Sequence, residues 1–163
     1  MSTTLPASIA ALVARTPEWG ALLERWCLIN SGSGHGAGLE RMRVALQEEF
    51  TRLFPTAAVT VLSADAPGYN PPGVKALRIR VRPEAPHQIF LCGHYDTVFE
   101  ADDAFQHARW LDADTLNAPG AIDMKGGIVT MLAALDAFEQ TPQHERVGWE
   151  VLLTPDEETG SHG

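Results

Sequence analysis

The stretch Asn117–Gly127, NAPGAIDMKGG, constrains the fold more than any other. It passes from a turn through a lone acid, a lysine and paired glycines into the apolar run Ile128–Phe138. That run is too apolar all round for a surface helix, so it predicts a helix buried within a layered molecule. An acid just ahead of such a helix sits where backbone N–H groups point outward, and its charge is tolerated there. Asp123 is the only carboxylate between Thr115 and Leu135, so it does not belong to a solvated charge run. Gly126 and Gly127 predict a close approach of the backbone to something at that turn.

Around this stretch the chain alternates helical and extended patterns. Ile9–Arg15 reads as a short helical piece, and Thr16-Pro17-Glu18 as the start of a second helix with Thr16 as N-cap. Trp19, Leu22, Leu23, Trp26 and Cys27 give that helix one apolar face. Ser31–Gly38 is glycine-rich. It lacks a phosphate-loop order and follows a helix, so it predicts a plain flexible connection. Leu39–Phe54 is amphipathic and stops at Pro55. Val59–Leu62 is a short strand, and Ala64–Gly73 is a surface loop dense in proline and glycine. Leu77, Ile79 and Val81 alternate with Arg78, Arg80 and Arg82, the mark of a half-buried strand with a basic outer face. Ile89–Cys92 does not alternate and predicts a central strand covered on both faces. Glu100–Leu116 is irregular and acidic, pinned by Trp110 and Leu111, and Val147–Leu153 is a further buried strand. The sum is an α/β fold, a three-layer α/β/α arrangement with sites beyond the carboxyl ends of the strands.

The 163 residues suffice for one domain with a real core, and 45% hydrophobic against 20% charged content excludes a disordered chain. A net charge of −9 argues against nucleic acid or an anionic membrane as partner. No apolar stretch reaches the ~18 residues of a membrane span, and Met1–Pro6 shows no secretory pattern, so a cytoplasmic location is expected. Cys27 and Cys92 lie in apolar runs and predict two buried free thiols. With no CxxC pair, a structural zinc finger is excluded.

Three stretches carry the chemistry: Gly93–Val98 (GHYDTV), the Asp123 turn, and Asp156–Gly160 (DEETG). Each has an ordinary explanation alone. His94 could be a hydrogen-bonded histidine at a strand end, Asp123 a helix cap, and Glu157-Glu158 a solvated turn. Together they fall where an α/β sheet converges on one edge. One imidazole and several carboxylates without cysteine form a ligand set suited to catalytic zinc. Asp96, two residues from His94, is placed to hold the second imidazole nitrogen. Glu157 and Glu158 are neighbours and cannot easily reach the same atom, so one can bind metal while the other faces an activated water, the logic of hydrolysis. A glycosidase using a carboxylate pair would leave His94 and the Asp123–Gly127 turn unexplained.

GHYDTV, NAPGAIDMKGG and DEETGS resemble the three signature stretches of the di-zinc exopeptidase and deacylase family that contains glutamate carboxypeptidase, acetylornithine deacetylase and succinyl-diaminopimelate desuccinylase. Leu28–Gly34 is similar to that family's N-terminal region more loosely. By position, the resemblance implies that His94 binds one zinc, Asp96 clamps its imidazole, Asp123 bridges two zincs, Glu157 is the general base and Glu158 binds the second zinc. It implies a cis Asp123–Met124 peptide. It implies two Zn2+ per complete site, with Co2+ or Mn2+ as substitutes, a small-molecule or peptide substrate, and a homodimeric parent protein. Lys125 is expected in a structural salt bridge. The family's further acidic ligand, its late histidine and its inserted dimerisation domain have no counterpart in these residues, and His162 does not fall at that histidine's place. The chain is therefore expected to be the N-terminal portion, 1–163, of a metallohydrolase catalytic domain: truncated, holding about half a site and inactive alone. The alternative is a catalytically inactive domain with a structural or interaction role.

Overall fold

The computed structural model describes residues 7–163; Met1–Pro6, on which the expected lack of a secretory pattern rests, lies outside the described residues. Among the described residues, four α-helices, α1 (Ala7–Ala14), α2 (Thr16–Cys27), α3 (Gly36–Leu53) and α4 (Gly126–Glu139), accompany six strands. These are β1 (Ala58–Ser63), β2 (Lys75–Val81), β3 (His87–His94), β4 (Arg109–Trp110), β5 (Leu116–Asn117) and β6 (Val147–Thr154). The main sheet has the order β1-β2-β6-β3. Its first two pairings are antiparallel, and β6 runs parallel to β3. β4 and β5 form a separate two-stranded ribbon. No described helix is long and apolar enough to cross a membrane.

The register sorts the side chains by face, because neighbours on paired strands point the same way. Leu77 lies opposite Leu153, Ile79 opposite Val151 and Val81 opposite Trp149, and all six are buried. The helices meet this face. Phe54, just past α3, packs edge-on against Trp149 with ring centroids 4.9 Å apart, and Glu139 at the end of α4 accepts a hydrogen bond from Trp149 Nε1 at 2.8 Å. Trp19, Leu22 and Trp26 of α2 and Leu39, Met42, Leu46 and Phe50 of α3 join the same core, as their spacing predicts. α4 buries Ile128, Val129, Leu132, Ala133, Leu135 and Ala137, in line with its apolar sequence. The alternate residues of β2 and β6 form the second face, where Arg78 and Arg80 both pair with Glu150. Those arginines are thus accounted for by cross-strand charge pairing.

Three local expectations are corrected. β3 is an edge strand, not a central one: β6 lies on one side, and Ile89 and Phe90 are 45% and 59% exposed. Cys92, on that strand, is consequently exposed, whereas Cys27 is buried and burial pushes its thiol up to about 11. Thr16 does not cap α2. Arg15 occupies the N-cap, and the Thr16 hydroxyl donates to the Val13 carbonyl instead.

Candidate metal centre

Because β3 and β6 are parallel and in register, with His94 opposite Thr154, their carboxyl ends reach the same edge of the sheet. Tyr95 N–H still donates to Thr154 O, so the ladder runs one step beyond the strands. The Gly93–Val98 and Asp156–Gly160 stretches leave from there side by side. The third stretch arrives from α4. Gly120 turns the chain at φ +68°, and a Cβ there would lie 2.6 Å from Thr97 Cγ2, so only glycine fits. The Ala121–Lys125 turn follows, with Asp123 extended at φ −130°, ψ 103° and a cis Asp123–Met124 peptide, matching what the resemblance implies. The close approach expected at Gly126 is to the turn's own Ala121 carbonyl: a Cβ on Gly126 would lie 2.4 Å from that oxygen.

His94 is the hub. It is 5% exposed, and its Nε2 lies 3.1 Å from Asp123 Oδ1 and 3.9 Å from Glu157 Oε2. Its Nδ1 lies 3.2 Å from both Asp96 Oδ1 and Asp96 O. Ligand atoms of His94, Glu157 and Glu158 all lie within 4.8 Å of one another. Burial alone would lower the imidazole's proton affinity. The hydrogen bond and charge of Asp96, then Asp123 and Glu157, more than offset it and raise the pKa to about 9. Glu158 is raised above its ordinary value by burial and by the charge of Asp123. Four carboxylates around one imidazole make a slot that favours a cation. Asp123 and Glu157 keep 69% and 55% of their side chains exposed and so remain open to a ligand.

Asp96 is fully buried. Besides His94, it accepts from Ser33 Oγ at 2.8 Å and from the backbone N–H groups of Glu157 and Glu158, each at 3.1 Å. One side chain therefore orients the imidazole and anchors the turn that carries both glutamates. The glycine-rich Ser31–Gly38 segment, expected to be a flexible connection, instead helps build the site's floor. Ser31 and Ser33 are buried, Ser31 Oγ donates to Tyr95 O, and Gly32 bridges to Thr97. A Cβ on Gly32 would lie 2.6 Å from Phe99 O, which explains the glycine. Composition alone reads such a segment as a linker, because the contacts that order it come from residues about 65 positions downstream. The loose similarity of Leu28–Gly34 is the only sequence signal for it.

Lys125 is also corrected. It is buried, with no carboxylate among the described residues on its ammonium; Nζ donates to the carbonyls of Trp26 at 3.2 Å and Ile29 at 2.8 Å. Burial lowers its pKa to about 8. It ties the Asp123 turn to the C-terminal end of α2, where carbonyls lack helical partners. His162 is not in the group of ligand atoms that His94, Glu157 and Glu158 form; it stacks on Tyr69, with centroids 3.8 Å apart. Asp156, buried beside the glutamates, accepts from Asn70 Nδ2 and Gly163 N and shapes their turn.

The chain's likeness to known proteins runs through this region. Residues 90–163 match the model of peptidase family M20/M25/M40. No curated protein matches the chain. Among solved structures, human carnosine dipeptidase 1 superposes with a TM-score of 0.77 at 22% identity, covering 97% of this chain and 36% of that one. The di-peptidase Dug1p from Saccharomyces cerevisiae gives 0.77 at 17% identity, over 99% of this chain and 36% of its own. The M20 family metallo-carboxypeptidase Sso-CP2 from Sulfolobus solfataricus gives 0.70 at 20% identity, over 88% and 32%. The chain spans about a third of the length of these structures. Residues 90–163 thus resemble peptidase family M20/M25/M40, and the chain carries the fold of these solved peptidases.

Proposed function

We propose that the complete protein is a zinc-dependent hydrolase of the amide or peptide bond in a small N-acyl amino acid or peptide with a free carboxylate. The observation that carries this reading is the grouping of ligand atoms of His94, Glu157 and Glu158 within 4.8 Å of one another, with Asp123 Oδ1 3.1 Å from His94 Nε2. The donor set fits the ion: an imidazole nitrogen held from behind by a carboxylate, with exposed carboxylate oxygens in front. His94, Asp123 and Glu158 would hold the metal, with Asp123 shared between two ions. Bound zinc supplies Lewis acidity to the scissile carbonyl and makes water a stronger acid. Glu157 takes the proton from the attacking water and passes it to the leaving amine. Asp96 fixes the imidazole's orientation, and through the Glu157 and Glu158 N–H groups it fixes the base relative to the ligands. The borderline donor set would also accept Co2+ or Mn2+. A cytoplasmic, homodimeric parent, of which residues 1–163 are the N-terminal part of the catalytic domain, belongs to the same proposal.

Zinc titration of this chain by calorimetry tests the site. Binding should occur, weaken roughly 10-fold or more in His94→Ala and Asp123→Ala, and persist in Glu157→Gln. Failure of zinc to bind, or binding indifferent to both substitutions, removes the metal reading. In a chain of the relatives' full length, Glu157→Gln should abolish turnover while zinc content stays.

A further inference from the structure

A cavity of about 380 Å3 opens directly beside the candidate metal centre, a volume within the range of small-molecule sites. Val98, Phe99, Phe105, Leu116 and Ile122 line it together with Asp123 and Glu158. Resting on the function proposed above, we infer that this cavity receives an uncharged, apolar side chain of the substrate residue adjoining the scissile bond.

The walls support this assignment. Phe99 and Phe105 meet edge to face with centroids 5.3 Å apart, so the aromatic wall is braced. Val98 and Ile122 are 63% and 96% exposed, and an apolar occupant would remove that surface from water. Among the described residues no lysine, arginine or histidine lines the cavity, and Asn117 supplies its one neutral polar side chain. A carboxylate side chain would find no counter-ion and would face Asp123 and Glu158. An ammonium side chain would find only those two carboxylates, which the ion claims. A hydrocarbon side chain has no such conflict, and its neighbours are continuous with the reacting centre.

The test is an NMR titration of the isotope-labelled 163-residue chain with N-acetyl-L-leucine, N-acetyl-L-glutamate and N-acetyl-L-lysine, with zinc and without. Leucine should shift the amides of Val98, Phe105, Leu116 and Ile122, and the glutamate derivative should bind roughly 10-fold or more weakly under both conditions. With zinc present the lysine derivative should be similarly weak. Val98→Ser, at an exposed position that does not endanger folding, and Phe105→Ala should each weaken leucine binding several-fold and leave zinc affinity unchanged. Equal binding of leucine and glutamate, leucine shifts elsewhere, no leucine shifts, or variants that bind leucine as before would each overturn the assignment. Zinc affinity is read separately by calorimetry. Loss of the metal reading and loss of the apolar subsite therefore give different results.

Discussion

Both oxygens of Asp96 are engaged. Oδ1 meets His94 Nδ1 and the Glu157 N–H, while Oδ2 accepts from Ser33 and the Glu158 N–H. Asparagine in its place keeps the volume but turns an NH2 group toward donors. Asp96→Asn should lower zinc affinity roughly 10- to 100-fold and cost about 1–3 kcal/mol of stability. In the metal-free protein, NMR titration should show the His94 pKa falling from about 9 toward its ordinary value, because its largest favourable partner is lost. An unchanged zinc affinity and imidazole titration would contradict the role given to Asp96. At this scale the sequence is informative where spacing carries chemistry. His94 and Asp96 two apart on an extended segment, Asp123 ahead of an apolar helix, and paired glutamates after a strand can all be named from it. Ser33 cannot, because a serine between glycines looks the same whether it is solvated or buried against a carboxylate far along the chain.

Between elements, the end of α4 is fastened to the sheet by one carboxylate. Glu139 accepts from Trp149 Nε1 on β6 and pairs with Arg82, which follows β2 and also donates to the Val147 carbonyl. Burial would raise the Glu139 pKa, but the hydrogen bonds from Arg82 and Trp149 bring it below its ordinary value. A carboxyl depressed in the folded state stabilises the fold above its unfolded pKa of ~4.3, and that contribution is lost as pH falls through the lower folded value. Urea unfolding of the wild type should therefore lose stability faster than Glu139→Gln as pH drops from about 6 toward about 3, with the two curves converging at the acid end. Parallel curves would show that the pair contributes nothing. Element types are largely legible from apolar patterning, and α4 and β6 fall where the apolar runs Ile128–Phe138 and Val147–Leu153 place them. The position of β3 is not. An unbroken apolar run reads as a covered central strand, but sheet order is decided by non-local pairing, and β3 has only β6 beside it. The two-residue strands β4 and β5 are too short to leave a periodic pattern.

Over the whole molecule, the sheet is asymmetric. One face is packed by α3 and α4, the other carries the Arg78–Glu150–Arg80 charges, and the β3 edge leaves Ile89, Phe90 and Cys92 in solvent. Exposed apolar edges of this kind promote association between chains. Phe90→Lys should raise the solubility of this chain and reduce any concentration-dependent sedimentation while leaving its melting temperature within a few degrees. A large fall in melting temperature would mean that Phe90 packs rather than idles. The α/β architecture is legible where a helix separates two strands: β3, α4 and β6 form one such unit, and its parallel strands end at a common edge, whereas the three helices and the strands before it run in succession.

The junction at Asp96 has a consequence for redesign. The proposed ligand His94 and the proposed base Glu157 sit on separate segments, yet a single buried carboxylate is shared between them. A protein engineer who lengthens, bends or resequences the exit from β3 to admit a different ion therefore moves the proton acceptor in the same stroke. Tuning metal preference independently of acid–base chemistry would first require a second, unlinked support for the Glu157–Glu158 backbone.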